Sequence, residues 1–160
     1  MEDGLYVQRA WWETWRDSRE ARHSESQLRF DPLNPRPTLE EEARFWREEV
    51  ETDAFRIWEI QHLQRGLLGF ICLFQERGGH WETGVGILRE DRWGAGIARR
   101  AYERLIPLWT AEGLPGISAI THAENIRARR LFHRLGFALR GQLMDSGVPM
   151  VRYWLELGRG

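Results

Sequence analysis

Trp81-Glu82-Thr83-Gly84-Val85-Gly86-Ile87-Leu88, then Arg89-Glu90-Asp91-Arg92, then Trp93-Gly94-Ala95-Gly96-Ile97-Ala98 is the stretch whose reading decides the fold. From His80 to Leu88 it reads as a strand carrying Glu82, in which Gly84 and Gly86 leave places for a bulge or for close approach by a ligand's backbone. From Trp93 it opens a helix: Ala98, Ala101, Tyr102, Leu105 and Trp109 recur at spacings of three and four, and Pro107 is expected to kink or shorten its end. Gly94 and Gly96 let the chain approach a ligand without side-chain obstruction. The amides of the first helical turn, at the positive end of the helix dipole, suit a phosphate or pyrophosphate. The same glycines also fit a tight strand-to-helix turn that binds nothing.

Working outward, Leu67 to Phe74 is apolar on both faces and reads as a central strand, joined through Gly66 to a strand at Ala54 to Ile60. Gly78-Gly79 is the turn into the Glu82 strand. Asp31-Pro32-Leu33-Asn34-Pro35-Arg36-Pro37 is a loop, because its three prolines remove amide donors and restrict their predecessors. Thr38 and Glu41 form a capping box for a helix through Leu39, Ala43, Trp46 and Val50. Nearer the start, a short strand at Leu5 to Val7 leads into a helix through Ala10, Trp11, Trp15 and Arg19. On the other side, Gly113 to Gly116 ends the glycine-rich helix and Ile117 to Thr121 is a short strand. Asn125 caps a helix with Ala128, Leu131, Phe132 and Leu135 on one face, stopped by Gly136. Phe137 to Met144, a turn at Asp145-Ser146-Gly147, and Val148 to Leu157 make a closing hairpin. The order predicts one domain over residues 1–160, a three-layer α/β/α arrangement with a mixed, mostly antiparallel sheet of six or seven strands.

The 160 residues are 42% hydrophobic and 29% charged, the composition of one globular domain with an adequate core. A single cysteine, Cys72, excludes a disulfide framework and a cysteine-based zinc site within one chain, and no metal is expected. No apolar run approaches the roughly 18 residues of a membrane span. Met1 to Trp12 does not read as a secretory signal, so the cytoplasm is the expected location. The net charge of −1 excludes a generally basic nucleic-acid binder, yet residues 1–80 sum to −5 and residues 81–160 to +4, which favours a polyanionic ligand in the second half. All 23 basic residues are arginine. The missing lysine excludes a P-loop, and Arg99 stands where a dinucleotide fingerprint would need its third glycine. Nine tryptophans suit a core, with an acceptor cleft or a homodimer interface as alternatives.

Two blocks together resemble the GCN5-related N-acetyltransferases (GNAT), in particular their ribosomal-protein-alanine branch. Leu88 to Ala98 is similar to that family's acetyl-CoA motif, with Gly96 and Ala98 matching and Trp93 standing where Gln or Arg is usual. Asn125-Ile126-Arg127-Ala128-Arg129-Arg130-Leu131-Phe132-His133-Arg134-Leu135-Gly136-Phe137 is similar to its Asn-x-x-Ala helix ending in Gly-Phe. The resemblance implies splayed central strands, with acetyl-CoA held by Ile87, Leu88, Arg92, Trp93, Gly94, Ala95, Gly96, Ile97, Ala98, Asn125, Ala128 and Phe132. Arg99 and Arg100 either add charge for the CoA phosphates or are solvated helix residues, and Asn125 either bonds the cofactor arm or only caps its helix.

Acetyl transfer to a primary amine needs a neutral nucleophile, a stabilised tetrahedral oxyanion and a place for the leaving thiolate. The resemblance gives Glu82 the role of base, against the plainer reading of an exposed strand acid, and His122 is the alternative base. A backbone amide around Leu88 is the expected oxyanion donor. Phe132 occupies the family's tyrosine acid position, leaving solvent or Tyr102 to protonate the thiolate. Cys72, in an apolar run, is a poor nucleophile. The expected acceptor is a protein N-terminus or a small-molecule amine, with no nucleic acid and no membrane. The alternative is a catalytically inactive CoA-binding regulatory module.

Overall fold

The computed structural model describes residues 4–24, 36–88 and 96–158. Among them, one sheet is built from β1 (Leu5–Arg9), β2 (Phe55–His62), β3 (Gly66–Gln75), β4 (Trp81–Ile87), β5 (Gly116–His122), β6 (Ala138–Asp145) and β7 (Val148–Glu156), in the order β1-β2-β3-β4-β5-β7-β6. The helices are α1 (Trp12–Asp17), α2 (Arg19–Arg22), α3 (Leu39–Phe45), α4 (Ile97–Ala111) and α5 (Ile126–Arg134), with α3 continued by a π turn at Trp46–Val50. Every neighbouring strand pair is antiparallel except β4 and β5. The mixed, mostly antiparallel sheet expected from the sequence is present. β3, hydrophobic on both faces, lies inside it, as such a strand must.

The two faces bury different sets. Ala101, Tyr102, Leu105 and Trp109 of α4 and Phe132 of α5 pack on Ile71, Leu73, Ile117, Ala119 and Val151. On the opposite face Trp46 and Val50 cover Ile57 and Phe70, joined by Trp12, Trp15 and Leu88. Helices on both faces of the sheet give the three layers. Most tryptophans serve these cores, whereas Trp11 is 65% exposed.

Polar contacts attach the second layer. The capping box forms as its sequence requires: Thr38 Oγ1 accepts from the Glu41 amide at 3.1 Å and Glu41 Oε1 from the Thr38 amide at 2.9 Å. Glu42, buried on α3, receives Arg22 at 2.6 Å and Arg19 at 2.9 Å from α2, and the Arg22 guanidinium lies 3.7 Å over the Trp15 ring. Glu59, fully buried on β2, accepts from the Trp11 amide, Gln8 and Gln61, which ties the exit of β1 to the entry of α1. A buried carboxylate is tolerated there because three donors satisfy it.

Three expectations are corrected. Pro107 neither ends nor shortens α4, which runs to Ala111. Pro107 and Glu103 are both exposed, so the carbonyl of Glu103, deprived of its i+4 amide, faces water, while fully buried Trp109 anchors the next turn. Gly84 and Gly86 are not bulge positions: the β3–β4 register is unbroken from Gly69↔Ile87 to Gln75↔Trp81, and the irregularity lies between β2 and β3 at Ile60/Gln61. Finally, the last hairpin turns on Ser146 and Gly147, both at positive φ, and Asp145 still belongs to β6.

β3 and β4 leave no room for a side chain at Gly69, where a Cβ would sit 2.3 Å from the Gly86 carbonyl oxygen and 3.1 Å from Ile87 Cα. Both are backbone atoms and cannot swing aside. Gly69→Ala is therefore expected to cost about 3 kcal/mol in urea unfolding. Gly78→Ala, whose nearest neighbour is the His80 ring at 3.5 Å, is expected to change stability by less than about 0.5 kcal/mol.

Candidate active site

The site begins where β4 and β5 part. Their parallel register is confined to Trp81↔Ile117, Glu82↔Ser118 and Thr83↔Ala119. Which backbone groups then face the gap follows from the antiparallel partner of β4. The Leu88 amide donates to the Leu68 carbonyl at 2.9 Å, so even-numbered residues of β4 direct their N–H and C=O toward β3 and odd-numbered ones toward β5. Beyond Thr83, β5 no longer meets them, and Val85 presents both groups to the cleft. On the other wall, β5 pairs with β7 from Gly116 to His122, and Ile120, of the same parity as Ser118, is turned toward β4. The expected splay is present. Leu88's own amide is taken by Leu68 and points away from the cleft, which removes it as the oxyanion donor.

Glu82 lies at the closed end of this cleft, in the central one of the three parallel pairs. It is half-buried, and Ser118 Oγ donates to its Oε1 at 3.2 Å. Burial raises the Glu82 carboxyl above its ordinary value, and the charge of Glu76 adds to the rise; the Ser118 hydrogen bond and Arg152 of β7 pull it back. A carboxyl raised in this way is a stronger base than an ordinary glutamate. Ser118, Arg152 and Glu76 carry no motif in the sequence. Only strand register brings them to Glu82: β4 on β5 for Ser118, β5 on β7 for Arg152, and β3 on β4 for Glu76.

His122 lies four residues along β5 from Ser118, about 13 Å in an extended strand, so the two candidate bases do not converge. Its Nδ1 accepts from the Glu124 amide at 3.1 Å. Gly96 caps α4 in the left-handed region at φ 76° with no side-chain cap bond. The amides that follow, at Ile97 and Ala98, lie in the first turn of the helix, at the positive end of its dipole. The Ile97 side chain itself is buried in the core. Arg99 pairs with Glu103 at 3.7 Å on an exposed face. Arg92, Trp93, Gly94 and Ala95 lie outside the described residues.

Asn125 caps α5, its Oδ1 accepting from the Ala128 amide at 3.2 Å. Phe132 is not at a ligand surface. It is buried among Tyr102, Phe137 and Tyr153, with ring centroids 6.3, 5.1 and 5.7 Å away. Tyr102 is not a proton donor for a leaving group either. Thr83 Oγ1 gives its one proton to the Cys72 carbonyl at 2.7 Å, so the Tyr102 hydroxyl, 2.9 Å away, must donate to Thr83. Burial pushes this phenol above its ordinary range. Burial also pushes the Cys72 thiol up to about 12, and a thiol held protonated is a poor nucleophile. Among the described residues no group of three or more His, Cys, Asp or Glu side chains is placed to hold a metal ion, and no helix is long and apolar enough to cross a membrane.

The family model for the acetyltransferase (GNAT) domain matches residues 6–138. No curated protein matches by sequence. The chain is similar in structure to spermidine N-acetyltransferase from Vibrio cholerae in complex with CoA and spermine, at 18% identity and a TM-score of 0.84 over 98% of this chain and 97% of that one. A domain from Methanocaldococcus jannaschii DSM 2661 is similar at 19% identity and 0.80, over 95% of this chain and 97% of that one. An aminoglycoside acetyltransferase in complex with coenzyme A is similar at 13% identity and 0.78, over 95% and 94%.

The raised carboxyl of Glu82 has a consequence for stability. Between the ordinary glutamate value and its own, the folded chain binds more proton than the unfolded one, so stability falls as pH climbs through that interval. Glu82→Gln is therefore expected to melt higher than the wild type at pH 7, by about 2 °C, with the curves converging below about pH 4. Tyr102→Phe should lose about 1 kcal/mol in urea unfolding and leave turnover within about twofold of the wild type, since the hydroxyl donates only to Thr83.

Proposed function

The chain belongs to the GNAT acetyltransferases and is an acetyl-CoA-dependent N-acetyltransferase; on that premise we propose that it moves the acetyl group by direct attack of a primary amine, through a tetrahedral intermediate. The observation that carries this reading is the cleft opened where β4 and β5 cease to pair after Thr83 and Ala119, with Glu82 at its closed end. The helix end at Gly96, Ile97 and Ala98 would hold the CoA pyrophosphate, with Arg92 to Ala95 expected to contribute. The pantetheine arm would lie along β4, one of its amide N–H groups meeting the Val85 carbonyl that β5 leaves unpaired. The thioester would then reach toward Glu82.

At that point the amine nitrogen attacks the thioester carbonyl. The N–C bond forms, the carbonyl becomes an oxyanion facing the Val85 amide, and the Glu82 carboxylate takes the proton from nitrogen, directly or through a water. Collapse of the intermediate breaks the C–S bond. The CoA thiolate leaves and is protonated by solvent, Tyr102 being committed to Thr83 and Phe132 to the core. Cys72 forms no acyl-enzyme.

The acceptor is a primary amine, and its class belongs to the proposal. Spermine and an aminoglycoside are the amines named with two of the similar structures, and a protein α-amine is the third candidate. An α-amine, ordinarily at 7.7–8.0, needs less help from a base than a side-chain amine near 10.4. Dependence on Glu82 should therefore be steeper for a polyamine than for a peptide N-terminus.

The test is a thiol-release assay over these three amine classes together with calorimetric titration of CoA. Glu82→Gln is expected to lower kcat by about a hundredfold or more while CoA affinity stays unchanged. CoA binding with no thiol release from the wild type for any amine would identify a binding module instead.

A further inference from the structure

We propose that Ser118 is a positioning residue for Glu82, holding its carboxylate and setting the pH at which it ionises; this rests on the reading of Glu82 as the base. The Ser118 hydroxyl lies 3.2 Å from Glu82 Oε1 and 3.4 Å from the Trp81 carbonyl oxygen. It has one proton for two acceptors. While Glu82 is ionised, the proton goes to the carboxylate in a charge-assisted bond. When Glu82 takes the proton from the amine, the hydroxyl turns toward the Trp81 carbonyl and accepts from the new O–H of Glu82. The side chain is held in both states with only a rotation about one C–O bond.

The surroundings make this bond effective. Ser118 is 1% exposed, so water does not compete for its proton. Glu82 and Ser118 are the middle pair of the three that join β4 to β5, so the serine cannot withdraw without opening that junction. The groups facing Glu82 are Glu76 beyond the end of β3, Cys72 on β3, Arg152 on β7 and Ser118 on β5. The thiol is neutral, Glu76 opposes ionisation, and Arg152 acts without a hydrogen bond to Glu82. Among the described residues Ser118 is the one side chain that hydrogen-bonds the carboxylate.

The experiment is a carbon-13 NMR titration of the labelled glutamate carboxyls in the wild type, Ser118→Ala and Ser118→Cys, with Glu82 assigned by the signal lost in Glu82→Gln. The pH profile of kcat/KM is recorded on the same four proteins. Ser118→Ala is expected to move the Glu82 titration to higher pH and the acid limb of the profile with it, so that activity on that limb falls about five- to tenfold. The fall should be smaller on the alkaline plateau. Ser118→Cys, a weaker donor, should lie between. A Glu82 titration unchanged in Ser118→Ala, or in Ser118→Cys if the alanine variant does not fold, overturns the proposal. A Glu82→Gln enzyme with the wild-type rate and profile overturns instead the assignment of the base, whatever the serine does to the titration.

Discussion

Everything at this site depends on a pairing that stops early. β4 and β5 share three residue pairs, enough to join the two halves of the sheet, and then separate while each remains fully paired on its other side. Backbone amides and carbonyls inside a sheet must find partners. A wedge between two well-anchored strands therefore offers unpaired groups that cannot close on each other without breaking their outer ladders. The fold makes a binding surface out of main chain, largely independent of side-chain identity, which is consistent with a similar architecture at 13–19% sequence identity.

The wedge is kept rigid from both faces. Thr83, at the last paired position, is bonded to the Cys72 carbonyl behind it and to Tyr102 on α4 above it, so the junction, the neighbouring strand and α4 are joined by one hydroxyl. On the opposite face Leu88, just past the end of β4, packs with Trp46 and Phe70. Odd residues of β4 thus fix it to the α4 side and Leu88, just beyond it, to the tryptophan layer. Glu82 is the even residue beyond that layer, next to β5 and β7, where a carboxylate is only half-buried.

Much of this was legible in the amino-acid order, and the rest was hidden for identifiable reasons. β3 could be read because a run apolar on both faces has few alternatives, and the caps at Thr38 and Asn125 because a cap is a local bond between residues three apart. Pro107 was misread because its tolerance depends on which face of α4 meets water. The π turn at Trp46–Val50 was missed because its bond from the Glu51 amide to the Trp46 carbonyl is selected by the packing of Trp46 and Val50. In the site, Glu82 was legible from its place on the strand. Ser118 was not, since it lies thirty-six positions away and meets Glu82 only through strand register. Tyr102, Phe132 and Leu88 were each given a chemical role from residue type or motif position, whereas the fold engages them with partners the sequence does not reveal: Thr83, the aromatic core and the Leu68 carbonyl.

The cluster that fastens α2 to α3 constrains the history of this chain as well as its shape. Two guanidiniums share the single buried carboxylate of Glu42, one of them stacked on Trp15. Exchanging the acid alone takes the counter-charge from two cations, whereas exchanging one arginine still leaves the acid a partner. The order of mutational steps is therefore asymmetric. The loss of Arg19 is therefore tolerated before that of Glu42 more readily than the reverse.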